Sequence, residues 1–375
     1  MTASFRFTGP ACCCCKHTIR GDEINGFMMP AGGIGTTLLY ETLTPADARN
    51  NIRSLTSPGG DSFSSHMIGP DWANKRIFYA YNTWARTMGS VTDTDATFRY
   101  WDTKTSSSTG VAITTVNSRV CDSLAADPDN EHIYWASHDY HAGASPSADV
   151  GIDYSIELRR MDYDGTNQTT LDTVPVNRAT SATRPAVIGP MLVNRDAARL
   201  YYVVRQNYTT ASNTTWEWEI RYRDFATFTE TSIYSVTGAH AVSAAGDTVI
   251  QLLNCLSFDL ADGKIYWCEH YMSASNRQEG KVRRANLDGS GVELLYQSAD
   301  PYAVNFARYS NSLGKIVHGD KDRTANVFTP KDGIWLRDKA AWATAEQIAK
   351  EGLPETSNFD LTSSFLWCGY EGTQA

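Results

Sequence analysis

The sequence lacks any apolar run near the roughly 20 residues that a helix needs to cross a bilayer, so no membrane span is expected. It also lacks a basic cluster, and a net charge of −9 would repel phosphate groups, so no nucleic-acid partner is expected. The N-terminus shows no apolar core of a secretory signal. Lys- and Glu-rich helical stretches are scarce, whereas Thr, Ser, Asn, Tyr and Trp are abundant. This balance favours an all-β protein.

Common catalytic and metal-binding motifs are absent as well. The chain has neither the HExxH pattern of zinc enzymes nor the GxSxG of serine hydrolases. His138, Asp139 and His141 share one short segment, which we interpret as a solvated loop. The Asp-rich stretches DPDNEH, DYDGTN and LDGSG are explained by turn geometry, with calcium binding as the alternative. We therefore expect neither a metal site nor a cofactor.

The chain does contain a repeat of short β-strands. Its clearest copy, residues 254–296, reads as two hairpins with Asp-Gly turns, the strongest short-range hairpin pattern. Four further copies can be aligned with it, including SLAADPDNEHIYWASHDY and MLVNRDAARLYYVVRQNY. Five units of four strands, here called blades 1 to 5, therefore lie between about residues 61 and 351.

The two ends of the chain each supply half of another unit. Residues 35–57 match the third and fourth strands, and SNFDLTSSFLWCGYEGTQA matches the first two. Joining them closes a ring, which removes the open sheet edges. The prediction is a six-bladed β-propeller of four-stranded antiparallel blades (residues 35–375), preceded by a Cys-rich arm (residues 1–34). A seven-bladed propeller is the alternative.

Two of these units resemble the YWTD repeats of lipoprotein-receptor-type six-bladed propellers. They are DPDNEHIYW with IELRRMDYDG, and LADGKIYWCE with KVRRANLDG. The blades read FYAY, IYWA, LYYV, IYWC, IVHG and FLWC, so the Asp of the motif is missing and its polar contacts between blades must arise differently. The resemblance implies the propeller fold. Aromatic core residues are expected at Tyr134, Trp135, Tyr266, Trp267 and Trp367.

Four consecutive cysteines, Cys12 to Cys15, stand in the arm. Neighbouring residues of an extended chain point to opposite sides, which disfavours one tetrahedral metal site, and no helix follows for thioredoxin-type chemistry. We interpret them as cross-linking thiols. Cys255 and Cys268 face each other across the turn of blade 4, as a disulfide or as a reduced pair. The predicted cross-linking set is Cys12, Cys13, Cys14, Cys15, Cys121, Cys255, Cys268 and Cys368.

Long segments between the second and third strands of most blades are predicted to be loops on one face of the ring. They mix aromatic residues with Ser, Thr and Asn, the composition of a recognition surface. The predicted partner-binding residues are Trp84, Tyr140, Tyr208, Trp216 and Tyr271.

Together these features suggest a non-catalytic structural protein rather than an enzyme. The predicted role is a propeller subunit of a disulfide-stabilised filament or virion, extracellular or virion-associated, that binds copies of itself and a host surface or glycan. The alternative is a calcium-dependent hydrolase resembling lactonases, with a central-channel site. Asp127, Asn194, Asp259 and Asp360 are the polar residues near inner-strand ends, where turn formation accounts for them. An intracellular scaffold is the third option.

Overall fold

The computed structural model describes 21 stretches of the chain. They are residues 24–28, 34–35, 37–43, 50–56, 63–64, 68–71, 74, 76–88, 91–102, 110–117, 119–138, 141–142, 156–174, 187–209, 214–239, 248–273, 278–298, 302–310, 314–322, 333–340 and 345–350. These stretches form strands and turns, and none of them holds a helix that could cross a membrane.

Five consecutive four-stranded antiparallel units follow one another along the chain, as the repeat predicts. Blade 1 consists of β6 (Ile68–Asp71), β7 (Arg76–Met88), β8 (Val91–Asp102) and β9 (Val111–Val116). Blade 2 consists of β10 (Val120–Asp127), β11 (His132–His138), β13 (Ile156–Asp162) and β14 (Thr169–Val174). Blade 3 consists of β15 (Val187–Asn194), β16 (Arg199–Thr209), β17 (Thr214–Asp224) and β18 (Glu230–Ala239).

The last two blades repeat this order. Blade 4 consists of β19 (Thr248–Asp259), β20 (Lys264–Ser273), β21 (Gln278–Asn286) and β22 (Glu293–Gln297). Blade 5 consists of β23 (Tyr302–Ser310), β24 (Lys315–Asp322), β25 (Gly333–Asp338) and β26 (Ala345–Lys350). The first strands of successive blades contact one another in chain order, which is the arrangement of a β-propeller.

Aromatic side chains from the second strands fill the space between blades. Tyr134, Trp135, Tyr266 and Trp267 are all buried, so the core prediction is confirmed for these four. Trp367 lies outside the described residues. Most of the core forms one continuous cluster from blade 1 to blade 4, so each blade is stabilised by burial against its neighbours.

The N-terminal part of the chain forms a three-stranded sheet in the described residues. The predicted hairpin of residues 35–57 is present as β3 (Thr37–Leu43) and β4 (Asn50–Thr56). A third strand, β1 (Ile24–Met28), pairs with β3 and lies within residues 1–34, which the sequence assigned to the arm. The predicted C-terminal half of the sixth blade lies outside the described residues, as do Cys12 to Cys15.

Three short strands complete the list. They are β2 (Ile34–Gly35), β5 (Phe63–Ser64) and β12 (His141–Ala142). β2 pairs with β5, and β12 pairs with β8 of blade 1 although it belongs to the segment between the second and third strands of blade 2. Blade 2 therefore reaches over the edge of blade 1.

Polar side chains at the ends of the first strands hold the turns that follow them. Asp71 and Asp127 accept hydrogen bonds from backbone amides and from Asn side chains two or three residues later. Asn194 accepts from the Ala197 amide, and Asp259 accepts from the Asp262 amide. The interpretation of Asp127, Asn194 and Asp259 as turn-forming residues is confirmed. Asp360 lies outside the described residues.

Acid should weaken the exposed turns between third and fourth strands. Hydrogen bonds from the turn residues lower the pKa of Asp164 and Asp288, chiefly those from Thr166 and Ser290, and backbone amides lower that of Asp224. Their stabilising effect is complete above the ordinary pKa of about 4 and is lost as pH falls through the lower folded-state value. A variant with Asp164→Asn, Asp224→Asn and Asp288→Asn lacks these three carboxylates. Between about pH 4.5 and about pH 3, we expect its free energy of unfolding to fall less than that of the wild type. Urea unfolding at each pH tests this, and parallel curves would contradict it.

Candidate functional site

The predicted recognition residues lie in strands. Trp84 belongs to β7, Tyr208 to β16, Trp216 to β17 and Tyr271 to β20, so their assignment to loops is wrong. Tyr140 lies outside the described residues. The physical reason is that Thr, Tyr and Trp favour strand pairing, and they extend the central hairpins of blades 1, 3 and 4. In blade 3 the pairing continues to Thr209 and Thr214.

Two of the predicted cross-linking cysteines, Cys121 and Cys268, are buried, and neither belongs to a disulfide among the described residues. Burial is the main cause that raises the pKa of Cys121, which keeps it in the unreactive thiol form. Cys268 lies opposite Asn254, not Cys255, because a bulge between Asn254 and Ser257 shifts the register. The side chains of the other six predicted cysteines lie outside the described part of the chain.

The His138 segment does not form one loop. His138 ends β11 of blade 2, and His141 pairs with Asp93 of blade 1, so the two residues belong to different sheets. Among the described residues there is no group of three or more His, Cys, Asp or Glu side chains suited to a metal ion.

A buried carboxylate on blade 4 is the most unusual polar feature of the described residues. Strand alternation places Trp267, Glu269 and Tyr271 of β20 on the face that meets blade 3. Glu269 is fully buried, with no exposed side-chain surface. An ionised side chain in such a position is stable only when it is paired and hydrogen-bonded.

Three hydrogen-bond donors and one cation surround the Glu269 carboxylate. Trp267 donates from Nε1 to Oε1 over 3.1 Å, and Tyr271 donates its hydroxyl to Oε2 over 2.6 Å. The Tyr234 hydroxyl of β18 also donates to Oε1, which ties blade 3 to blade 4. Arg283 of β21 places Nε 2.8 Å from Oε1 as an ion pair. We call these residues the Glu269 cluster: Tyr234, Trp267, Glu269, Tyr271 and Arg283.

The cluster keeps both tyrosines protonated. Burial raises the pKa of Tyr234 and Tyr271 well above the ordinary value of 10, and the hydrogen bonds to Glu269 raise both further. For Arg283, burial lowers the pKa, but the contact with Glu269 outweighs it and the net shift is upward. Tyr234, Tyr271 and Arg283 are half-buried, so the edge of the cluster reaches solvent while its carboxylate does not.

Sequence reasoning missed Glu269, although a pattern was available. The residue follows Tyr266-Trp267-Cys268 directly, at the place where the Asp of a Y-W-T-D motif would stand. Blades 1 to 3 carry Tyr81, Ser137 and Val204 at this place, and blade 5 carries Asp320 there. Blade 4 therefore carries a charged residue at a position where blades 1 to 3 carry uncharged ones. Reading one residue beyond the IYWC segment would have revealed Glu269.

Comparisons with known proteins identify no family for this chain. No family model matches the sequence. No curated protein matches it either. Solved β-propeller structures are similar at low identity, and the order and contacts of the described sheets are those of a β-propeller.

Three of these structures illustrate the similarity. The oligogalacturonate lyase from Vibrio parahaemolyticus is 10% identical, with 89% of this chain and 81% of that chain covered and a TM-score of 0.47. The putative 6-phosphogluconolactonase from Bacteroides fragilis is 9% identical, with 92% and 97% covered and a TM-score of 0.47. The β-propeller domain of the trilobed protease from Pyrococcus furiosus is 10% identical, with 88% and 100% covered and a TM-score of 0.37.

These neighbours overturn the predicted function. The lyase and the lactonase are named as enzymes, and neither name refers to a filament or virion. The prediction of a non-catalytic, disulfide-stabilised assembly subunit is therefore wrong.

Proposed function

We propose that the chain is an enzyme, a propeller hydrolase whose reactive centre is the Glu269 cluster. The observation that carries this proposal is the hydrogen bond from the half-buried Tyr271 to the fully buried Glu269 carboxylate, with 2.6 Å between the hydroxyl oxygen and Oε2. A hydroxyl that is accessible on one side and bonded to a carboxylate on the other can pass a proton between substrate and carboxylate.

The proton path begins at a bound water molecule. Water gives one proton to the Tyr271 oxygen while the Tyr271 proton moves to Glu269 Oε2, and the remaining hydroxide attacks the substrate carbon. The bond from that carbon to the leaving group then breaks. The proton held on Glu269 returns through Tyr271 to the leaving group, so the two products contain all the atoms of substrate and water. Tyr271 stays neutral between turnovers, in agreement with its raised pKa.

Tyr234 and Arg283 hold the carboxylate in place for this exchange. Both contact Oε1, whereas Tyr271 contacts Oε2, so the oxygen that receives the proton is separate from the oxygen that is fixed. An inter-blade tether alone would need only the Tyr234 contact. The additional half-buried hydroxyl favours a reactive role for the site.

The test is a hydrolysis screen with the full chain. Purified protein is assayed on ester, lactone and glycoside substrates, with added calcium in one arm and a chelator in another. We expect turnover of at least one class. We also expect Tyr271→Phe to lower kcat about 100-fold, the usual contribution of a positioned proton donor or acceptor.

Tyr201→Phe is the matched control. The Tyr201 hydroxyl donates to the Leu287 carbonyl over 3.0 Å and does not contact Glu269, so the control loses one tyrosine hydrogen bond elsewhere. It should retain kcat within about twofold, since it lies outside the proton path. A folded wild type that hydrolyses none of the three classes, or a Tyr271→Phe variant as active as Tyr201→Phe, would rule the proposal out.

A further inference from the structure

The Glu269 cluster has a second cation beside it, on the same face of β21. Lys281 and Arg283 are two residues apart, so their side chains leave the strand on one side. The Lys281 ammonium lies over the Tyr271 ring, 4.3 Å from its centroid. Two cations thus flank the tyrosine that we place in the proton path.

The charges of this region do not balance. Arg283 pairs with Glu269 through Nε. The Lys281 ammonium forms no ion pair with any side chain that the structure describes, and its observed contact is the face of Tyr271. Among the side chains that the structure describes around Tyr271, one carboxylate stands against two cations.

The other arginines of equivalent position are neutralised. Arg221 of blade 3 contacts both Glu219 oxygens, at 2.9 and 2.8 Å, and also Glu230 at 3.0 Å. Arg159 of blade 2 lies 3.5 Å from Glu157. Blade 4 differs from these blades because Lys281 stands at the register position that Glu157 and Glu219 occupy in blades 2 and 3, next to the half-buried Tyr271.

From this arrangement we infer that the site binds an anionic ligand, through a carboxylate or phosphate group held by Lys281 beside Arg283. This inference rests on the proposed function, because it assigns the substrate class of the same site. A guanidinium and an ammonium side by side match the oxygens of either anion, and the half-buried setting strengthens such contacts. The rest of the ligand would lie against the exposed side of Tyr271.

Calorimetric titration of the full chain tests the inference without requiring turnover. Sodium glucuronate probes a carboxylate, inorganic phosphate probes a phosphate, and glucose serves as the neutral control. We expect one of the two anions to bind and glucose not to bind. Lys281→Met should weaken anion binding about tenfold, and Lys281→Arg should retain it within about threefold.

Lys264→Met is the matched control, because it removes the same charge from the other end of β20. Lys264 donates to Asn286 Oδ1 over 2.6 Å, away from the Glu269 cluster. Its anion affinity should stay within about twofold of wild type, because the charge it removes is distant. Binding of neither anion would overturn the inference, and so would equal losses in Lys264→Met and Lys281→Met.

The two proposals fail in different ways. Anion binding that depends on Lys281 in a protein without hydrolytic activity would retain the ligand class and reject the reaction. Hydrolysis that depends on Tyr271, with anion affinity unchanged in Lys281→Met, would retain the reaction and reject the ligand class.

Discussion

Glu269→Gln should lower the free energy of unfolding by about 3–5 kcal/mol, the usual effect of removing one partner from a buried ion pair. The amide cannot neutralise Arg283, and it offers only one oxygen to the three hydrogen-bond donors that now share two. One or more of those donors would then be buried without an acceptor, which is itself unfavourable. Urea unfolding followed by tryptophan fluorescence measures the change.

Glu293→Gln is the control for this prediction. Glu293 also belongs to blade 4 and also pairs with an arginine, with Arg284 Nε and Nη2 at 2.9 and 2.7 Å. Its side chain is 47% exposed, so the same substitution there should change stability by about 1 kcal/mol or less. If both variants lost less than about 1 kcal/mol, Glu269 would not be the buried centre of a charged cluster.

Gly289→Ala should be the most destabilising of the single-methyl substitutions in the turns of blade 4. Gly289 has φ of +87°, and a Cβ there would lie 2.5 Å from the backbone oxygen of Ile233 in blade 3. The left-handed conformation alone disfavours Ala by about 1–2 kcal/mol. Overpacking against a backbone atom adds about 1–3 kcal/mol, because the two blades must separate to relieve it.

Gly263→Ala separates these two effects. Gly263 has φ of +61°, but a Cβ there meets no atom within 4 Å. This variant should therefore lose only the conformational part, about 1–2 kcal/mol. Equal unfolding free energies for the two variants would mean that blade 3 and blade 4 do not meet at this turn.

The propeller was readable from the sequence because each blade carries its own local turn pattern. Asp-Gly pairs, apolar alternation and the Tyr-Trp core positions are short-range features, and they recur in every clear copy. The shift of Cys268 to face Asn254 was not readable, because a bulge adds a residue to one strand without a distinctive composition. The extension of strands such as β16 was not readable either, because the added segments are polar and Thr-rich.

The Glu269 cluster was missed because its members come from separated parts of the chain. Tyr234 precedes Glu269 by 35 residues and stands on another blade. Arg283 resembles Arg159 and Arg221 in sequence, although its partner lies on the neighbouring strand. Periodicity identifies the buried face of a strand, whereas only the packing of two blades shows which polar side chains meet there.

A crystal structure of the full chain with glucuronate or phosphate, whichever binds more tightly, tests the central claim most directly. The claim is that a ligand occupies the edge of the Glu269 cluster. The predicted result is density for the anion within hydrogen-bonding distance of Lys281 Nζ, with the remainder against Tyr271. Ligand density elsewhere on the propeller, with the surface of Tyr271 and Lys281 left open, would contradict it.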